Sequence, residues 1–116
     1  MTVNLAPKGK TVAAGALDGT VALVTGGGRD IGRACALALA AKGATVAVSY
    51  FESSRGAEET VSEIKDAGGR ALAARADLAQ PASAEAFVST VVETYGQIDV
   101  LVNNAGGLVA RKTIAD

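Results

Sequence analysis

VALVTGGGRDIG, residues Val21 to Gly32, decides how this chain is read. Its first five residues are a continuous β-favouring apolar run, as in a strand covered on both faces. Three glycines follow, and a helical pattern then runs from about Ile31 to Lys42, with Gly43 placed as its C-cap. A strand that ends in glycine and turns straight into a helix presents free backbone N–H groups. It also presents the positive end of the helix dipole, and together these suit a pyrophosphate. Gly26 takes the tight turn, Gly28 lets backbone approach a ligand without a Cβ, and Gly32 lets the helix pack closely. The stretch lacks the Lys-Ser/Thr ending of a P-loop, which argues against an NTPase.

Working outward, three more strand-like runs appear: Thr45–Ser49, Arg70–Ala74 and Val100–Asn103. RALAA is the least distinctive of them, since Ala and Leu serve a helix equally well. A second helix is expected from about Arg55 to Ala67, with Ala57, Thr60, Val61, Ile64 and Ala67 on one stripe and Gly68-Gly69 ending it. A third begins at Pro81 and carries Ala84, Phe87, Val88, Val91, Val92 and Tyr95 as a face directed at the sheet. Alternating strands and helices predict an α/β domain on a parallel sheet, and right-handed crossovers predict strand order 3-2-1-4. Residues 1–16 show no sustained period and read as an irregular arm, leaving 17–116 as the domain.

Composition excludes several functions. The 116 residues carry 11 basic and 12 acidic groups, well mixed, with a net charge of −1, so no basic tract addresses nucleic acid or an anionic membrane. There is no His, and the one cysteine, Cys35, lies among Ala and Leu in the first helix as a packed small hydrophobe. The usual zinc ligands and the commonest general base are therefore missing. No run approaches the roughly 20 apolar residues that span a bilayer. A reducing, cytoplasmic setting is the expectation.

The glycine loop resembles the Thr-Gly-x-x-x-Gly-x-Gly fingerprint of the short-chain dehydrogenase/reductase family, with Thr25, Gly26 and Gly32 matching. The fourth strand runs into Asn103-Asn104-Ala105-Gly106, which is similar to that family's Asn-Asn-Ala-Gly motif. Adjacent Asn residues at a buried strand end need both amides satisfied, and Ala-Gly beyond them lets backbone pass close to a ribose. Asp30 departs from the pattern, which has Gly there. We expect it to cap the first helix and to contribute its N–H much as glycine would, its carboxylate turned away or paired with Arg29 or Arg33.

The resemblance implies a Rossmann-like three-layer sandwich, the first part of a doubly wound fold. It also implies a dinucleotide site formed by Gly26, Gly28, Arg29, Asp30, Ile31, Tyr50, Ser53, Asp77, Leu78, Asn103, Asn104, Ala105 and Gly106. Asp77 matches the residue that accepts from the adenine amino group, although it also suits a turn opening towards Pro81. Tyr50 stands where NAD enzymes of this fold carry an acidic residue. A 2′-phosphate is not repelled there, and Arg29 and Arg55 are cations near enough to meet it, with Ser49, Ser53 and Ser54 as hydroxyl donors. NADP(H) is therefore favoured over NAD(H), with Glu52 as the opposing feature.

The family's chemistry, hydride transfer between nicotinamide and a carbonyl or alcohol, uses a Ser, a Tyr and a Lys, the latter two four residues apart. No Tyr-x-x-x-Lys occurs in this sequence, and Tyr95 belongs to the core stripe. We therefore expect an incomplete piece of an oligomeric reductase, inactive by itself. A non-reacting nucleotide-binding module and a structural remnant with an open sheet edge are the competing readings.

Overall fold

The computed structural model describes residues 15–28, 30–52 and 54–104. Seven elements alternate along the chain: β1 (Val21–Thr25), α1 (Asp30–Ala41), β2 (Thr45–Tyr50), α2 (Ser54–Asp66), β3 (Ala71–Arg75), α3 (Pro81–Tyr95) and β4 (Val100–Val102). All strand pairs are parallel and their order is β3-β2-β1-β4, as the crossover rule requires. The chain thus has the doubly wound arrangement inferred from the alternating pattern, with α1 and α2 on one face and α3 on the other.

The two faces hold two cores. Val24, Val46 and Val48 meet Ala36, Leu39, Ala57, Val61 and Ile64 on the α1/α2 side. Val21, Leu23 and Ala47 meet Phe87 and Val91 on the α3 side. β1 is buried along its whole length, which is why its five residues are apolar without alternation. Leu17, in the turn before β1, is 1% exposed and donates its N–H to Lys42 O at 2.8 Å, closing the amino end of the first core. The expected arm lies, up to residue 14, outside the described residues.

Several expected boundaries move by a residue, each for a physical reason. β2 extends to Tyr50 because its carbonyl accepts from Ala76 N at 2.8 Å. β3 begins at Ala71 and ends at Arg75, with Arg70 contributing only its carbonyl, to Val46 N. β4 stops at Val102, since the two asparagines beyond it turn toward β1. Helix α2 closes before Ala67, which is exposed, when Gly68 at φ 93° and Gly69 hand their N–H groups to Lys65 O and Ile64 O.

Two expectations about burial are corrected. Phe87 and Val91 of α3 are buried, but Val88 and Val92 are each 42% exposed. One residue further round the helix is about 100°, enough to turn that second row off the sheet. β4 is not a buried strand either: Leu101 is 63% exposed. It registers with Leu23 of the α3-side core, so its side chain stands on that face. No described helix or strand lies beyond β4 in the sheet.

Candidate functional site

The carboxyl end of β1 is where glycine chemistry and the asparagine corner meet. Gly26 turns at φ 67°, a conformation glycine tolerates, and its N–H goes to Ser49 O at 3.1 Å and lies 3.4 Å from Ser49 Oγ. Ser49 is 1% exposed beneath the loop. It therefore braces the turn and does not serve as a ligand-facing hydroxyl, contrary to expectation.

The loop glycines are closely packed by both main chain and side chains. A Cβ on Gly27 would reach Val48 Cγ1 at 2.5 Å, and one on Gly32 would stand 2.2 Å from Gly26 O and 2.6 Å from Asn104 Nδ2. Gly28 faces α2: a Cβ there would come within 2.8 Å of Ala57 N, and one on Gly56 within 2.3 Å of Gly28 O. The need for glycine at 28 is thus set first by contact between the two crossovers. Thr60, fully buried, secures that contact by donating its hydroxyl toward Gly27 O at 3.0 Å and Gly56 O at 2.9 Å. Arg33 donates to the same hydroxyl at 3.0 Å and pairs with Glu63 at 2.6 Å.

Asp30 is the first residue of α1 and has φ 54°, the one non-glycine residue with positive φ among those described. The capping expectation is corrected: no hydrogen bond to its carboxylate is seen among the described residues, and Arg33 is engaged by Glu63. The conformation explains the residue. A left-handed backbone at this position favours glycine, and among side chains Asn and Asp tolerate it best. Its exposed carboxylate leaves the helix N-terminus and its amides open, and Ile31 beside it is 71% exposed.

Beside the loop, the Asn103-Asn104 corner is tied to it directly. Thr25 Oγ1 accepts Asn104 N–H at 2.8 Å and lies 3.3 Å from Asn103 Oδ1. Asn104 Nδ2 reaches Gly26 O at 3.4 Å. Asn104 is half-buried and Asn103 exposed, so the first is held by the loop while the second faces outward. Ala105, Gly106, Arg29 and Ser53 lie outside the described residues.

The ends of β2 and β3 complete the rim. Tyr50 registers with Arg75, whose guanidinium lies over the Phe51 ring at 4.9 Å from its centroid. Arg55, expected to face a phosphate, instead pairs with Glu59 at 3.1 Å along α2. Asp77 makes the turn foreseen as its plainer role: its Oδ1 accepts Ala79 N at 3.1 Å while its own N–H goes to Ser83 Oγ at 2.8 Å. Leu78, next to it, is 37% exposed, and Phe51 44%. Three exposed large apolar side chains, Ile31, Phe51 and Leu78, each follow the carboxyl end of a strand.

Sequence reading missed Gly56, Thr60 and Arg75. An isolated glycine in the first turn of a helix and a hydroxyl inside an apolar stripe were visible signals for the first two. Arg75 had none, because its place depends on register with β2. The amino end of the sheet carries a separate polar hollow lined by Asp18, Thr20, Arg70, Tyr95 and Gln97, on the opposite side from the glycine loop. No group of acidic, Cys or His side chains suited to a metal is found among the described residues, and no described helix is long and apolar enough to cross a membrane.

Comparison with known proteins agrees with this geometry. A family model described as short chain dehydrogenase matches residues 20–116. A short-chain dehydrogenase/reductase homolog from Bacillus subtilis is 48% identical over 85 residues, covering 73% of this chain and 78% of that one. A 3-oxoacyl-[acyl-carrier-protein] reductase from Synechocystis sp. is 46% identical over 99 residues, which are 85% of this chain but 39% of the reductase. Among solved structures, a short chain dehydrogenase from Burkholderia cenocepacia in complex with NADP superposes with TM-score 0.77 at 45% identity, over 86% of this chain and 40% of that one. The chain thus spans most of the Bacillus relative and about two fifths of the other two.

Proposed function

This chain belongs to the short-chain dehydrogenase family, and we propose that it forms the dinucleotide-binding half of an NADP(H)-dependent oxidoreductase that interconverts carbonyls and alcohols. The observation that carries this is the Thr25–Asn104 link, which ties the asparagine corner to the glycine loop at the carboxyl end of β1 and so supports a single shared dinucleotide site. The amides at the start of α1 suit the pyrophosphate, helped by the dipole of a 12-residue helix. Asn103 faces the opening where a ribose would lie, with Ala105 and Gly106 following it in sequence. Ile31 and Leu78 offer apolar cover to the adenine, and the second Asp77 oxygen is a candidate acceptor for its amino group.

Nicotinamide supplies the hydride when bound. This chain's residues hold and orient the dinucleotide, but the sequence has no Tyr-x-x-x-Lys pair to move the proton. By itself it binds without turning over. NADP(H) is favoured over NAD(H) because β2 ends on Tyr50 instead of a carboxylate. The NADP complex of the Burkholderia neighbour is in keeping with that preference.

The test is a side-by-side titration with NADPH and NADH, read by quenching of tyrosine emission or by calorimetry. Saturable binding with NADPH at least tenfold tighter is the expected result. Absence of binding to either removes the dinucleotide reading, and equal affinity removes the preference.

A further inference from the structure

Among the described residues, the arginines are held in two ways, by a glutamate or over an aromatic ring, and the two stacked ones stand at opposite ends of the sheet. Arg33 and Arg55 are each neutralised by a glutamate. Arg70 lies over Tyr95 at the amino end of the sheet, at 5.2 Å. Arg75 is at the carboxyl end, exposed, on the last position of β3, with its guanidinium 4.9 Å from the centroid of Phe51 and no carboxylate paired with it. Glu52, next in sequence to that ring, is exposed and does not form an ion pair with Arg75.

We propose that Arg75, seated on Phe51, is, among the described residues, the one that selects a 2′-phosphorylated adenosine at the carboxyl end of the sheet. The inference rests on the NADP(H) reading above and adds the residue that enforces it. Strand register gives the position: Thr25 stands opposite Ser49, and Tyr50 opposite Arg75. Arg75 therefore lies two strands from the glycine loop, about 10 Å. An arginine side chain starting there can reach toward a phosphate on the adenosine ribose of a dinucleotide whose pyrophosphate lies over β1.

Stacking supplies the other half of the argument. A guanidinium on a ring face keeps its planar N–H fork free at the edge while losing few rotamers on binding. A phosphate accepts two such N–H groups in parallel, so the contact carries both charge and orientation. An unphosphorylated ribose hydroxyl gains little from the same fork, which makes the arginine a discriminator.

The experiment measures dissociation constants for NADPH and NADH with the wild-type protein and with Arg75→Gln, Arg75→Lys, Phe51→Ala and Arg70→Gln, circular dichroism verifying the fold of each. We expect Arg75→Gln to weaken NADPH by about tenfold or more while NADH stays within about twofold, the difference a charge-assisted contact carries. Arg75→Lys regains part of the loss, Phe51→Ala loses about threefold or more, and Arg70→Gln changes neither affinity. If the wild type prefers NADPH and Arg75→Gln keeps that preference, the assignment of Arg75 is overturned and the cofactor reading stands. If the wild type binds neither cofactor, or shows no preference, both fall together.

Discussion

Thr25 Oγ1 accepts the main-chain N–H of Asn104 at 2.8 Å, joining the end of β1 to the chain leaving β4 across 79 positions of sequence. Without that hydroxyl, Asn103 and Asn104 would be two polar residues just past a short strand. With it, they are a fixed wall facing the glycine loop.

Thr25→Val keeps the shape of the side chain and removes the acceptor. Leaving a part-buried N–H without its partner costs about 1–3 kcal/mol. For a domain of this size that lowers Tm by roughly 4–8 °C per kcal/mol. NADPH affinity should fall as well, and Thr25→Ser should regain most of both. A Thr25→Val protein with unaltered Tm and affinity would show that the link does not shape the crevice.

Gly28→Ala and Gly56→Ala test the contact between the two crossovers. Each new methyl would press on backbone, at 2.8 Å from Ala57 N and 2.3 Å from Gly28 O respectively. Overpacking of this kind costs about 1–3 kcal/mol, so urea unfolding midpoints should drop for both. The double variant should cost less than the sum, because one backbone shift relieves both clashes. Strict additivity would mean that the two glycines do not share a contact.

Asp30 is explained by its backbone, and the explanation has a sign. Asp30→Asn should be nearly neutral in stability, within about 0.5 kcal/mol, whereas Asp30→Ala should cost about 1 kcal/mol, because a left-handed conformation is harder on Ala. Asp30→Gly relieves the backbone and removes a carboxylate from the loop, so NADPH affinity should rise modestly. Chemical denaturation of the three variants decides it: Ala as stable as Asn would overturn the account.

Tyr95 gives the fold a pH dependence on the alkaline side. Burial pushes its phenol above the ordinary 10.0, and the Arg70 guanidinium pulls partly the other way. The folded state therefore holds this proton more tightly than the unfolded chain. The stability it contributes is whole below about pH 10 and is lost as pH rises through the folded value. Urea midpoints from pH 9 to 11 should fall more steeply for the wild type than for Tyr95→Phe, and parallel curves would exclude the effect.

Most of the fold was legible because the sequence states it locally. Val-rich runs without alternation marked β1 and β2, Pro81 marked the start of α3, and Gly43 and Gly68 marked helix ends. The crossover rule then left one strand order. The glycine loop and the asparagine pair were equally visible, since their residue types make sense only where backbone must come close to something. What stayed hidden depends on tertiary register. Nothing in the sequence put Arg75 beside Phe51, sank Ser49 beneath the loop, or engaged Arg55 with Glu59 in place of a ligand. The left-handed backbone of Asp30 was also hidden, because a favourable cap and a tolerated αL residue share one side chain.

Gly28 and Gly56 meet main chain to main chain, so α2 has no side-chain cushion between itself and the loop that would grip a cofactor's phosphates. Stiffening one strip of polypeptide must stiffen the other. Cofactor addition should accordingly slow amide hydrogen exchange in the first two turns of α2, and do so more than at the outer surface of α3.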